Sequence, residues 1–387
     1  MDAQWKPPGR LERRWLEWRA ARIRDPLARL RYLRRTTSAG DVRRRGRRVP
    51  QGLLAVFLWA FLFAPGYTVS DPGLWRERRL RLPFAAGIAV PAPDRISNIW
   101  LVESRKDSET YSNGLRVETQ FGTANEQRAY MIFDQTRPGI SEWRSQPAGI
   151  VYHTTESHLA PFEEGQNMRL QRLGQWLLEY LRRNQSYHFL IDRFGRVHRV
   201  VRETDAANHT GKSVWAEGRW VYVNLNHSFF GVAFESQTRP GQPGDVANQA
   251  QIHAARILTD MLRSKYGIAA ANCVTHAQVS VSPATMRIAN HTDWAEGFPF
   301  QELGLPENYA QPLPSMFVFG FGYDSVFLEL TPNSIRKSLT LAEDRMRLEA
   351  TAQGISVADY RAMLRKRYRE TVAALPRTDN DKENRDE

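Results

Sequence analysis

The chain has 387 residues, 42% hydrophobic and 11% aromatic, too apolar for a wholly disordered protein and long enough for one large domain with extensions or for two domains. Its formal net charge of +12 is concentrated at one end: residues 1–50 hold sixteen Lys/Arg against five Asp/Glu, and the remainder is close to neutral. That balance argues against a nucleic-acid-binding body, which needs a basic face of its own, and the single cysteine, Cys273, excludes an intrachain disulfide framework.

Within the Arg-rich segment 1–50, the stretch from Trp5 to Arg35 mixes Arg with Trp15, Leu16, Trp18, Ile23, Leu27, Leu30 and Leu33. It reads either as an amphipathic helix on anionic lipid, broken or kinked at Pro26, or as a solvated tail that fixes topology. Val49 to Ser70 carries no charged residue. Crossing roughly 30 Å of hydrocarbon takes about 20 apolar residues, and this run reaches that length only marginally, with Pro65 and Gly66 near its exit. Arg43, Arg44, Arg45, Arg47 and Arg48 precede it, so the expectation is a transmembrane anchor over 51–70 with its N-terminal side in the cytoplasm and the rest exported. A cleaved signal peptide ending near Thr68-Val69-Ser70 and a buried core helix are the alternatives.

Residues 71–95, rich in Pro and Arg, read as a linker. Residues 96–148 hold short strand-like runs, such as Ile99–Val102 and Met131–Phe133, and form a small β-rich lead-in. The main domain spans 149–310. Gly149–Tyr152 predicts a short buried strand, and Leu170, Leu173, Leu177 and Leu181 give Asn167–Arg182 a helical period. Tyr187–Ile191 and Val197–Val201 flank a turn at Arg193-Phe-Gly-Arg196 as a hairpin, and Phe229–Glu235 is a further strand. Gln249–Tyr266 is a helix closed by Gly267, and Val274-Thr-His276 ends the segment after it. Residues 311–377 form a C-terminal helical extension with helices over Ser334–Gln353 and Val357–Leu375, and 378–387 is a polar tail expected to be disordered. The predicted fold is α/β (α+β): a central mixed β-sheet flanked by helices, with an N-terminal transmembrane helix and a C-terminal helical extension.

All nine histidines lie after residue 150. His153 follows the buried run Ile150-Val-Tyr152, His276 ends the segment after Gly267, and Asp293 sits in His291-Thr-Asp-Trp294. Two imidazoles and a carboxylate make a plausible catalytic zinc set, because three protein ligands leave a fourth tetrahedral position for water. Taken singly, each of these histidines is more often a hydrogen-bonded structural residue.

Four motifs occur in one order: Gly149-Ile-Val-Tyr-His-Thr-Thr-Glu-Ser157, Ser186-Tyr-His-Phe-Leu-Ile-Asp-Arg-Phe-Gly-Arg196, Asn226-His-Ser-Phe-Phe-Gly-Val232, and Thr275-His276 to His291-Thr-Asp293. In this order the chain resembles the type-2 N-acetylmuramoyl-L-alanine amidases, the family of phage amidase lysozymes and peptidoglycan recognition proteins. Asn208-His209-Thr-Gly211 is similar to the His-Ala-Gly turn of that family. The resemblance covers about 160 residues, Gly149 to Tyr309, and leaves out the N-terminal 148 residues and the C-terminal helices.

The resemblance implies a Zn2+ held by His153, His276 and Asp293, with His291 as a rival third ligand because the interval from His276 to Asp293 is longer than is usual in the family. Tyr187 falls on the catalytic tyrosine of one branch, or else packs on the sheet. Ala233 stands where other branches carry a catalytic Glu; Glu235, on the same side of the strand, either substitutes for it or is structural. His291 stands where the family often has Lys, and a protonated His291 is expected to stabilise the oxyanion. The implied activity is hydrolysis of the amide between N-acetylmuramic acid and L-Ala, on peptidoglycan or a muropeptide. The alternative is a non-catalytic peptidoglycan-binding module of the same fold. Combined with the apolar run, the expected location is the bacterial inner membrane, single-pass, with the catalytic domain in the periplasm, and no nucleic-acid partner.

Overall fold

The computed structural model describes residues 96–137, 139–238, 246–288, 291–324, 327–328 and 333–375. The expected cytoplasmic segment 1–50, anchor 51–70, linker 71–95 and tail 378–387 lie outside the described residues. Among the described residues fourteen strands form: β1 (Leu101–Ser104), β2 (Ser108–Tyr111), β3 (Arg116–Glu118), β4 (Tyr130–Asp134), β5 (Ser141–Arg144), β6 (Gly149–Thr154), β7 (Phe189–Ile191), β8 (Val197–Arg199), β9 (Val214–Glu217), β10 (Trp220–Val223), β11 (Phe229–Phe234), β12 (Cys273–Thr275), β13 (Val281–Ser282) and β14 (Arg287–Ile288). Windows of helical period form α1 (Asn167–Arg183), the single turn α2 (Leu225–Ser228), α3 (Gln249–Tyr266), the single turn α4 (His276–Val279), α5 (Pro314–Phe319), α6 (Asn333–Ala352) and α7 (Val357–Ala373).

The strands assemble into an eight-stranded sheet in the order β1-β2-β3-β8-β7-β11-β6-β12, a four-stranded sheet β5-β4-β10-β9, and the two-stranded hairpin β13-β14. Both parallel and antiparallel pairs occur in the large sheet, so it is mixed, as the sequence predicts. Its centre is parallel: β11 pairs with β6 and with β7, and β12 pairs with β6. β6 and β11 are buried at every position, as befits strands covered on both faces. Ile150, Tyr152, Phe189, Phe230 and Phe234 pack on one face against Leu258, Met261 and Leu262 of α3, while Leu190 and Ala233 pack on the other face against Leu177, Leu178 and Leu181 of α1.

Helix α3 begins at a capping box in which Asn248 and Gln251 satisfy each other's backbone N–H groups, and ends at Gly267 in the left-handed conformation. Both boundaries coincide with the helix predicted from the sequence.

The lead-in 96–148 is divided between the two sheets. β1–β3 extend the large sheet by the parallel pairing of β3 with β8, whereas β4 and β5 pair beside β10. The buried Arg128 ties the segment down, with Nη1 donating to the His227 carbonyl (2.7 Å) and Nη2 to that of Asp205 (3.0 Å). The C-terminal helices also share a core with the rest: Phe317, Phe319, Ile335, Met346 and Tyr368 cluster with Val214, Val221, Val281 and Ile288.

The expected placement as a single-pass inner-membrane protein is corrected here. Among the described residues no helix is long and apolar enough to cross a membrane. The longest, α6, has 20 residues but carries Arg336, Lys337, Glu343, Asp344, Arg345, Arg347 and Glu349, charges that are costly in hydrocarbon.

Candidate active site

The parallel register builds the site. Thr275 pairs with Tyr152, so the next residue of each strand, His276 and His153, arrives at the same level on neighbouring strands. Their ring centroids are 4.5 Å apart. His276 starts α4, whose turn is fixed by Gln278 Oε1 accepting from the Thr275 N–H at 3.0 Å. The carboxylate of Asp293 closes the set, 2.9 Å from His276 Nδ1 and 3.3 Å from His153 Nδ1. Its loop is held by Ala277 N–H donating to the Asp293 carbonyl (3.3 Å), and by Trp294, which packs edge-on to Phe234 and whose carbonyl accepts from the Tyr309 hydroxyl.

These three side chains are buried and their ligand atoms lie within 4.8 Å of one another. A tetrahedral metal with bonds near 2.1 Å holds its ligand atoms roughly 3.4 Å apart, close to the spacings seen. Nδ1 of His153 and Nε2 of His276 are buried without a hydrogen-bond partner among the described residues. Two imidazoles and one carboxylate, with His153 Nδ1 and His276 Nδ1 turned to Asp293, suit a divalent cation such as zinc.

The charges fit as well. Burial alone would raise the Asp293 carboxyl, but the imidazole of His276 beside it leads the effects that hold the group well below the usual carboxylate range. Burial, aided by His276, lowers His153 to about 4. The set at neutral pH therefore includes an ionised carboxylate and an uncharged imidazole, the forms a metal needs.

Tyr187 precedes β7 with φ of 59°, a left-handed conformation unusual outside glycine. Its ring lies 5.0 Å from that of His153. Burial, with the charges of Asp293 and Glu156, raises its hydroxyl, which stays protonated and able to donate at neutral pH. His291 stacks on His276 with centroids 4.3 Å apart. Burial and His276 lower it to about 4.

Glu235 is not brought to this group. Its carboxylate accepts from the Arg193 N–H at 3.2 Å, beneath the turn between β7 and β8, and no contact joins it to His153, His276, Asp293 or Tyr187. Two further groups do reach the site. His209 Nδ1 lies 3.1 Å from His153 Nε2. Glu156, whose Oε1 accepts from Thr154 Oγ1 (2.6 Å) and Thr238 N–H (2.7 Å), faces Asp293 closely enough for their charges to interact. His209 lay within a motif quoted for the resemblance, so its signal was visible. Glu156 is one carboxylate among many, and only its position singles it out.

The long interval between His276 and Asp293 has a structural account: it contains the hairpin β13-β14, whose Arg287 bridges to Gly322 beside α5. The insertion docks the ligand loop onto the C-terminal core and leaves Asp293 in reach of both histidines.

Residues 143–295 match the sequence model of the N-acetylmuramoyl-L-alanine amidase family, and that segment contains every residue of the cradle. The match falls on the stretch whose motifs resemble that family and supports a peptidoglycan amidase activity. A comparison with curated proteins finds no match. Among solved structures, the chain is similar to AmpDh3 of Pseudomonas aeruginosa in complex with an anhydromuramic pentapeptide, at 20% identity over 57% of this chain and 72% of that one, TM-score 0.32. It is similar to AmiD of E. coli in complex with anhydro-N-acetylmuramic acid-L-Ala-D-γ-Glu-L-Lys, at 20% identity over 52% and 79%, TM-score 0.31. A third is the amidase LysC of Clostridium intestinale URNW, at 21% identity over 41% and 83%, TM-score 0.26. These likenesses are partial.

Proposed function

We propose that this protein hydrolyses the amide between the lactyl group of N-acetylmuramic acid and L-alanine in peptidoglycan or muropeptides, with a zinc ion held by His153, His276 and Asp293. The observation that carries this reading is the buried cradle itself, two imidazoles and a carboxylate whose ligand atoms lie within 4.8 Å of one another inside the segment that matches the amidase family. Asp293 in the third position favours an enzyme over a non-catalytic binding module.

When bound, zinc polarises the scissile carbonyl and lowers the pKa of water toward about 7. The chain's own groups do the rest. The Tyr187 hydroxyl donates a hydrogen bond to the developing oxyanion. His291, uncharged at neutral pH, accepts a proton and passes it toward the leaving amine. The amide C–N bond breaks, the water oxygen stays on the lactyl carbonyl carbon as a carboxylate, and a proton ends on the α-amine of L-alanine. The amidase domain is assigned to residues 149–310, with the hairpin β13-β14 and the helices of 311–377 supporting the ligand loop from behind.

The test is metal analysis combined with turnover. The purified chain is expected to hold about one zinc, by the three-ligand logic of catalytic sites, and to release a stem peptide with a free L-alanine amine from a muropeptide. A chelator should abolish the reaction and added zinc restore it. A metal-free preparation that turns over as fast as the zinc-loaded one overturns the proposal.

A further inference from the structure

The direction of hydrogen bonding behind the cradle can be read outward from a backbone carbonyl. His209 Nε2 lies 3.3 Å from the carbonyl oxygen of Phe229. A carbonyl only accepts, so the proton is on Nε2, and a neutral imidazole then carries its lone pair on Nδ1. That Nδ1 is 3.1 Å from His153 Nε2 and must accept from it. His153 therefore bears its proton on Nε2 and its lone pair on Nδ1, which points at the Asp293 carboxylate 3.3 Å away without a hydrogen bond. Two acceptors at that distance repel unless a cation lies between them.

The ring of His209 is held in place for this task. Asn226 Oδ1 accepts from His209 N–H (3.0 Å), Thr210 N–H (2.8 Å) and Thr210 Oγ1 (3.0 Å), pinning the turn. The ring lies against Gly231 on β11, where a Cβ would come within 2.6 Å of His209 Cγ, so only glycine leaves it room. β11 in turn pairs with β6, which carries His153.

We propose that His209 is a positioning residue for the metal cradle: anchored on the Phe229 carbonyl and seated over Gly231, it fixes the ring orientation and tautomer of His153 that leave Nδ1 free for the cation. The inference rests on the metal-site reading above and adds to it a residue that touches neither substrate nor metal. Partners behind a metal-bound imidazole commonly change affinity when removed.

The experiment measures zinc affinity of the full chain at neutral pH by competition with a chromophoric chelator. His209→Leu keeps the bulk and removes the acceptor; His209→Asn restores an acceptor, Oδ1, near the place of Nδ1. Removal of an outer partner weakens metal binding about 10- to 100-fold, the loss expected for His209→Leu, and His209→Asn should recover most of it. Melting temperatures of the zinc-free proteins should stay close to that of the wild type. Should His209→Leu fail to fold, Gly231→Ala, which displaces the ring without removing it, should weaken zinc binding in the same sense. Equal affinity of wild type and His209→Leu, or His209→Asn as weak as His209→Leu, overturns the inference and leaves the metal site standing. A wild-type chain that binds no zinc overturns both.

Discussion

Asp293 and Glu235 are buried to nearly the same degree, 7% and 5% exposed, yet they sit in opposite electrostatic states. Burial raises the pKa of any carboxyl. At Asp293 the imidazole of His276 leads the effects that reverse it and keep the group ionised. At Glu235 the chief counterweight is the N–H of Arg193, which is too weak, and burial pushes the carboxyl up to about 7. The two regions differ in what faces the carboxylate: two imidazoles at Asp293, the backbone of a hairpin turn at Glu235.

The comparison breaks most visibly at the cradle. Asp293→Asn keeps the shape and removes the charge, so zinc should be lost and turnover should fall by about three orders of magnitude or more, since a catalytic metal supplies several kcal/mol of charge stabilisation. Zinc retention with near-normal turnover in this variant would place the third ligand elsewhere, His291 being the nearest candidate. Next in size is Tyr187→Phe. Loss of one positioned donor costs about 10²- to 10³-fold in kcat, and zinc content should be unchanged because the hydroxyl is not a ligand. A Tyr187→Phe enzyme of undiminished kcat would return this tyrosine to a packing role.

The smallest effect is expected at Glu235, and in stability rather than activity. Its folded pKa, about 7, lies above the ordinary 4.5. The folded state therefore binds the proton more tightly than the unfolded chain, and Glu235 lowers stability progressively as pH rises from 4.5 to 7. Glu235→Gln should leave stability unchanged near pH 4 and raise it at pH 8 by on the order of 1–3 kcal/mol, the size implied by a shift of this kind. Denaturant unfolding across that range checks the slope. A 100-fold fall in turnover for Glu235→Gln, a loss typical of a removed general acid or base, would instead make it a catalytic group.

The same contrast shows what could be read before the fold was known. His153, His276 and Asp293 stood out because each follows or closes a recognisable motif, and the strand ends that carry them were visible as apolar runs. Glu235 was paired with Ala233 by alternation alone, which correctly gives the face of a strand but not what covers it; here the turn at Arg193 does. His291 was read from its residue type and its place in the motif; its stacking on His276 and its half-buried setting come only from the fold. The lead-in 96–148 looked like a separate β-rich piece because its partners, β8 and β10, are about 80 or more residues away in sequence.

By itself, then, the sequence determined the local elements and the chemical inventory: helix α3 closed by Gly267, the short apolar strands, two imidazoles directly after strands, and a carboxylate in a later motif. These depend on near neighbours, periodicity and residue type. Only the tertiary structure decided which strands lie side by side, so that His276 meets His153 and His209 reaches behind it, and which carboxylates face a cation or bare burial. Register, enclosure and charge environment arise from residues far apart in the chain, and no local pattern encodes the distance between them.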